Sequence, residues 1–346
     1  MARVTRPFAL PAWTLIQIER IPMLLGHYKL PVPRHETVEM ARKLSIGFEI
    51  ECLAVLDTSA PGAIQRIIDL INNTAVHRAR GFSSTYPPDE TRWHVVRDRS
   101  IRSNDVSLHG VELIAPPVED LPGTELLSPS TQMGWKMALQ EVLHEVKSHL
   151  TLKVNVTTGL HVHVGPGINC KWDTQHLIKI ALLFVFFEDQ LDQWHPRHRW
   201  DQRRHHTRNY LASMRESRTC ANLRDLDLVM RILAATDWQD LASLVNPCPY
   251  GMDVFDKNYK VNFGAVRLYG TVEFRQHAGT TCAREIVQWG EDLLALVRWA
   301  VRVDRWELVD MCLRHDQIQL RDLLVLAVRS ESSPDATPPL YLSPTV

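Results

Sequence analysis

The sequence predicts an α+β protein built around one main domain. Several short segments alternate apolar and polar residues with the two-residue period of a β-strand, while longer ones carry apolar residues at helical spacing. The chain of 346 residues is 45% hydrophobic and 23% charged, which is globular composition at a length open to one large domain or two smaller ones. With neither an internal repeat nor a linker in view, the single domain is preferred. It is expected over 44–328, between a Pro-containing leader (1–43) and a Ser/Pro-rich tail (329–346) expected to be disordered.

"SIGFEIECLAVL" (45–56) reads as a strand: Ile46, Phe48 and Ile50 point one way, Gly47, Glu49 and Glu51 the other. After Pro61-Gly62, residues 63–80 have helical spacing through Ile64, Ile67, Ile68 and Ile71. A loop follows over 81–91, then strands within 92–100 and 106–117, the second stopped by Pro116-Pro117. Residues 130–150 form the best amphipathic helix. "LKVNVTTGLHVHVGPG" (152–167) suggests two strands around Thr157-Thr158-Gly159, and 173–194 a buried helix capped by Asp173 or Thr174. The basic run 195–208 holds five arginines and four histidines and reads as an irregular, solvated loop. One helical stretch is expected around 230–245, two strands turning at Gly270 over 259–280, and a long helix over 282–303.

Composition narrows the function classes. A formal net charge of −1 gives no field calling for nucleic acid or an anionic membrane. Six scattered cysteines without a C-x-x-C pair suit reduced thiols in a cytoplasmic protein. The longest apolar run, Ile180 to Phe187, is too short to span a bilayer, and the N-terminus lacks a signal-peptide layout.

The chemistry collects on the strands. Glu49 and Glu51 share a face; so do His161 and His163 in "GLHVHVG", and Glu273, Arg275 and His277 in "GTVEFRQH", while Glu112 opposes Val111 and Leu113. One such strand is normally a solvated one. Four of them, carrying Glu, His and Arg in place of a Lys/Ser/Thr mixture, point to one polar sheet face enclosing a charged site. Several carboxylates with imidazoles and no thiolate favour Mg²⁺ or Mn²⁺ over a structural zinc. Arg275, Arg267 and Lys260 add cations suited to a polyphosphate. No Walker loop, dinucleotide fingerprint or G-x-S-x-G elbow is present, and "HEVKSH" misses zinc-protease spacing by one residue. Asp98 with Ser100 in "RDRS" fits a substrate loop or a turn, with the former favoured, and Arg208 is within the reach of an anionic substrate.

The ordered set "GFEIE", "VRDRS", "VELIAPP", "TGLHVHVG", "RNYLASM", "YKVNFGAV" and "GTVEFRQHAGT…IVQW" resembles the amidoligase family, carboxylate–amine ligases related to glutamine synthetase and glutamate–cysteine ligase, across residues 45 to 300. The resemblance implies a curved, mainly antiparallel sheet forming a funnel or partial barrel with helices on its outer face, as in the glutamine-synthetase catalytic domain. It also implies ATP and two or three divalent metals. On that basis Glu49, Glu51, His161 and Glu273 match metal ligands, with Glu112 a further metal or amine-site ligand, and Arg275 contacts acid or phosphate. Glu49 is expected at a phosphate-side metal with His161 and Glu273, and Glu51 at a second metal nearer the substrate. His163, Lys260, Asn262 and Arg267 fall on the nucleotide side, where the last three also read as fold-stabilising polar residues.

The implied reaction activates a small-molecule or peptide carboxylate as an acyl phosphate, which an amine then displaces; Asp98, Glu112 and Arg275 are the candidate catalytic groups. A metal-dependent hydrolase using the same His/Glu cluster, and a non-catalytic nucleotide- or metal-binding relative, are the alternatives. The oligomeric state is open, a homo-oligomer included.

Overall fold

The computed structural model describes residues 43–55, 60–74, 77–81, 91–120, 134–201, 211–248 and 256–331. Most of the leader, most of the 81–91 loop, Arg208 and the tail beyond 331 lie outside the described residues.

Among the described residues the alternating segments form one sheet of nine strands. They are β1 (Ser45–Val55), β2 (Ala79–Gly81), β3 (Trp93–Arg97), β4 (Leu108–Ile114), β5 (Val118–Glu119), β6 (Leu152–Lys153), β7 (Gly159–Gly165), β8 (Val261–Asn262) and β9 (Val272–Ala278). The order is β2-β3-β4-β1-β7-β9-β8, with β5 and β6 also pairing to β1. Every pairing is antiparallel except β2 with β3. β1 is the axis: β4 and β5 follow one another along one edge, β7 and β6 along the other. The protein is thus α+β, with helices stacked on the sheet's apolar face.

That face explains the helices. α1 (Ala60–Asn73) buries Ile67, Ile68 and Ile71, and α2 (Trp135–His149) sets Trp135 against Phe48 with ring centroids 5.4 Å apart. α3 (Thr174–Phe186) places Phe184 on Phe274 of β9 at 4.7 Å; its N-cap is Asp173, which accepts from the Gln175 N–H. α4 (Glu188–Asp192) follows at once. α8 (Ala283–Arg302) crosses β1 so closely that a Cβ on Gly290 would lie 3.0 to 3.1 Å from Ile46, Phe48 and Trp135. Buried apolar residues from Leu44 to Ala327 form one contiguous cluster.

Local chemistry moved several boundaries. The first helix stops at Asn73 because the Asn72 side chain exchanges two hydrogen bonds with the Ala79 backbone, which turns 79–81 into a strand. The 230–245 stretch is two helices, α5 (Asp225–Leu233) and α6 (Trp238–Val245), since Asp237 caps a new start by accepting from the Gln239 and Asp240 amides. Gly270 is a turn, as expected. It sits left-handed at φ 70° and ends a short helix, α7 (Ala265–Tyr269), inserted between β8 and β9. β6 and β7 both pair with β1 and not with each other. α9 (Arg305–Leu313) and α10 (Leu320–Glu331) complete the helices, α10 running past the expected tail boundary at 329. No helix among the described residues is long and apolar enough to cross a membrane, and none of the six cysteines is in a disulfide.

Because Gly290 leaves no room, Gly290→Leu should overpack the α8–β1 seam and cost about 1–3 kcal/mol. Urea unfolding measures this, and an unchanged midpoint would refute the close approach.

Candidate active site

Register places the charged side chains in three rows across the polar face, because directly paired residues point the same way. One row runs Gly47, His163, Glu273, Asn262. The next runs Arg80, His94, Ile114, Glu49, His161. The third carries Val96, Glu112 and Glu51. The solvated-strand reading fails here, since Glu51 keeps 6% of its surface exposed and Glu273 keeps 5%.

Glu49 is the hub. Its carboxylate lies 2.9 Å from His161 Nδ1 and 3.2 Å from His163 Nε2, while His163 Nδ1 meets the Thr271 hydroxyl at 2.8 Å. Glu51 accepts from the Gly159 N–H at 2.6 Å and lies 3.4 Å from His161 Nε2. Glu273 accepts from Arg275 Nη1 and, at 2.7 Å, from Asn262 Nδ2. Asp98 accepts from both the amide and the hydroxyl of Ser100, so "RDRS" is a turn that presents a carboxylate to the cluster.

Electrostatics divides these groups. Burial would raise the Glu49 carboxyl, but hydrogen bonds and charge from His161 and His163 hold it well below the ordinary range. Burial acts the same way on Glu273 and is overcome by the Arg275 charge. Burial pushes Glu51 up, and pushes Glu112 well above the usual range with help from the charges of Glu49, Glu51 and Asp98. Five carboxylates (Glu49, Glu51, Asp98, Glu112, Glu273) crowd around His161, His163 and Arg275, with Arg199 beside Glu51. Their ligand atoms gather into overlapping sets, each within 4.8 Å: Glu49, His163 and Glu273; Glu49, Glu112 and His161; Glu51, Asp98 and Glu112. Glu49 and Glu51 fall in different sets. Glu49 is grouped with Glu273 through His163, and with His161 through Glu112.

Other expected site residues sit elsewhere. Lys260 is buried and bonded to Glu188 Oε1 (3.1 Å) and Asp192 Oδ2 (2.6 Å), away from the carboxylate sets. Arg267 is exposed on α7. His277 is turned off the charged face. A bulge lies between the pairs Leu160–His277 and Val162–Phe274, where Arg275 and Gln276 of β9 stand opposite His161 alone on β7. His277 therefore shares a side with Leu160 and stacks near His195 (5.3 Å) and Trp289 (5.7 Å). At the described end of the 195–208 segment Pro196 and Arg197 are exposed, as expected, whereas Arg199 is 4% exposed and donates to three backbone carbonyls. Thr271 was also missed, although its phase with Glu273 marks it for the same face.

The fold thus defines an α+β protein whose mainly antiparallel sheet carries one carboxylate- and imidazole-rich face. A family model described as "Putative amidoligase enzyme" matches residues 42–297, and the chain belongs to that family, among ligase-type enzymes. A solved bifunctional glutathione synthetase from Pasteurella multocida is similar over 87% of this chain and 46% of its own, at 12% identity and a TM-score of 0.40. This chain therefore spans less than half the length of that enzyme. No curated protein matches the sequence.

Two outcomes follow. Lys260→Met strands two buried carboxylates and should cost about 3–5 kcal/mol in urea unfolding; a shift under half of that would contradict the ion triad. In metal-free protein at mildly alkaline pH, Glu112→Gln removes a repelled charge. Because burial and the neighbouring carboxylates hold the folded-state Glu112 carboxyl well above its ordinary range, its ionisation at that pH destabilises the folded chain, so the variant should raise the thermal midpoint; a lower midpoint would count against the crowding.

Proposed function

We propose that this protein is an ATP-dependent carboxylate–amine ligase that forms an amide from a small-molecule or peptide acid and an amine by way of an acyl phosphate. The observation that carries the reading is the crowding of buried and half-buried carboxylates and imidazoles around Glu49, arranged in sets that share ligands. Oxygen and imidazole donors without thiolates suit Mg²⁺ or Mn²⁺. Arg275 Nε and Asn262 Oδ1 are buried without a hydrogen-bond partner at the same place, which fits a face completed by bound groups. Glu49, His163 and Glu273 would hold one cation, and Glu51, Asp98 and Glu112 another, with His161 between them. Divalent cations bound there would offset phosphate charge and align the transfer.

The chain's own groups then divide the work. The acid's carboxylate attacks the γ-phosphorus of ATP and ADP leaves; the amine attacks the acyl carbon and inorganic phosphate leaves. Arg275, braced on Glu273, is the cation within reach of the transferred phosphoryl oxygens. Thr271 orients His163, and the Gly159 amide orients Glu51. The amine arrives on the Asp98–Glu112 side, where a carboxylate oxygen left free by the cation can accept its proton. The nucleotide lies over Asn262, Arg267 and Tyr269, beside α7. The wider reading is a funnel-shaped sheet like the glutamine-synthetase catalytic domain, acting in the cytoplasm.

The test is ADP release with a panel of acids and amines and with Mg²⁺ or Mn²⁺. Glu49→Gln and Glu273→Gln should each cut turnover roughly 100-fold or more while circular dichroism stays native. Metal-dependent turnover without ATP would favour a hydrolase, and undiminished activity in either variant would sink the assignment.

A further inference from the structure

The bulge between β7 and β9 resolves a conflict of register. At the open end of the seam, Gly159 pairs with Ala278 and Leu160 with His277. An unbroken ladder from there would pair His161 with Gln276, Val162 with Arg275 and His163 with Phe274. Arg275 would then point into the helices and Phe274 into the carboxylates, since a one-residue slip exchanges the two faces of a strand. The extra residue on β9 restores the phase, so that His163 pairs with Glu273 and Val162 with Phe274.

A bulge leaves backbone groups outside the ladder, and these must find partners. Arg199 supplies them. Its Nη2 donates to the Arg275 carbonyl at 2.7 Å, Nε to the Gln276 carbonyl at 3.3 Å and Nη1 to the Thr158 carbonyl at 3.5 Å. One guanidinium thus ties the two bulged residues of β9 to the residue that precedes β7. The space it fills is reserved, because a Cβ on Gly159 would lie 2.7 Å from Arg199 Nη2 and 3.2 Å from His161 Nε2. The rigid planar fork of arginine suits three divergent carbonyls, and lysine would reach them one at a time.

We propose that Arg199 is the positioning residue of the carboxylate cluster, a clamp on the β7–β9 bulge that keeps Glu273, Arg275 and His161 on the charged face and His277 off it. The inference rests on the metal-cluster reading of that face for its consequence, but not for its geometry. Two readouts separate the parts: Mn²⁺ affinity by titration, and the ring-current-shifted imidazole signal of His277 beside Trp289 in metal-free protein. Arg199→Met and Arg199→Lys are compared with Leu183→Ala, a buried substitution on α3 that leaves the Arg199 hydrogen bonds in place, at a temperature where all are folded.

Both Arg199 variants should lose Mn²⁺ affinity by roughly 10- to 100-fold and shift the His277 signal, while Leu183→Ala keeps both. Full recovery in Arg199→Lys would mean that charge alone matters, and would overturn the clamp. So would Arg199→Met behaving like Leu183→Ala. If the wild-type protein takes up no Mn²⁺, the metal reading falls, and the His277 signal still decides for or against the clamp.

Discussion

Everything about this sheet answers to one constraint: five carboxylates are crowded together on one face, Glu51 and Glu273 buried and Glu49, Asp98 and Glu112 half-buried. Such charges repel, and each loses hydration on burial, at a cost of several kcal/mol per ion. The chain meets that cost from the opposite face of the same strands. Ile46, Phe48, Ile50, Val162, Val164, Val272 and Phe274 are buried against helices, each contributing about 1.5–3 kcal/mol. The strand's two-residue period makes the arrangement possible, because one backbone carries a hydrophobic set and a charged set without mixing them.

The polar side is consequently a place of divided proton affinity. Glu49 and Glu273 are held ionised by their imidazole and guanidinium neighbours, whereas Glu51 and Glu112 are pushed towards the neutral form. Environments that drive like groups apart are how one site keeps anionic ligands and proton acceptors within a few ångströms of each other. The Lys260–Glu188–Asp192 triad solves a similar problem differently. It neutralises its carboxylates within the chain, although burial and Glu188 still lift Asp192 to about 7.

Much of this was legible from sequence. Glu49, Glu51, His161, His163, Glu112 and Glu273 announced their common face through alternation, and the apolar partners announced the other. What alternation cannot show is a change of phase. His277 looks equivalent to Glu273 and Arg275 in the sequence, and only pairing with β7 reveals the inserted residue. The roles of Lys260 and Arg199 stayed hidden for a related reason. A cation's partners lie far along the chain, at Glu188 and Asp192 for one and at the Thr158, Arg275 and Gln276 carbonyls for the other. Side-chain caps moved the helix boundaries at Asn72 and Asp237, a local effect that apolar periodicity does not register.

The central position of β1 has a temporal consequence. Its neighbours β4 and β7 lie well downstream, and β9, which supplies Glu273, comes later still. As the chain leaves the ribosome, Glu49 and Glu51 are made early and wait for imidazoles and a guanidinium synthesised near the other end. Pairings of such long sequence separation are slow to form. Until they close, the edge of β1 that awaits β7 is an unpaired template with apolar residues beside it. The carboxylates then serve the nascent chain as well: mutual repulsion between copies discourages that edge from pairing with another molecule's before its own partner strand arrives.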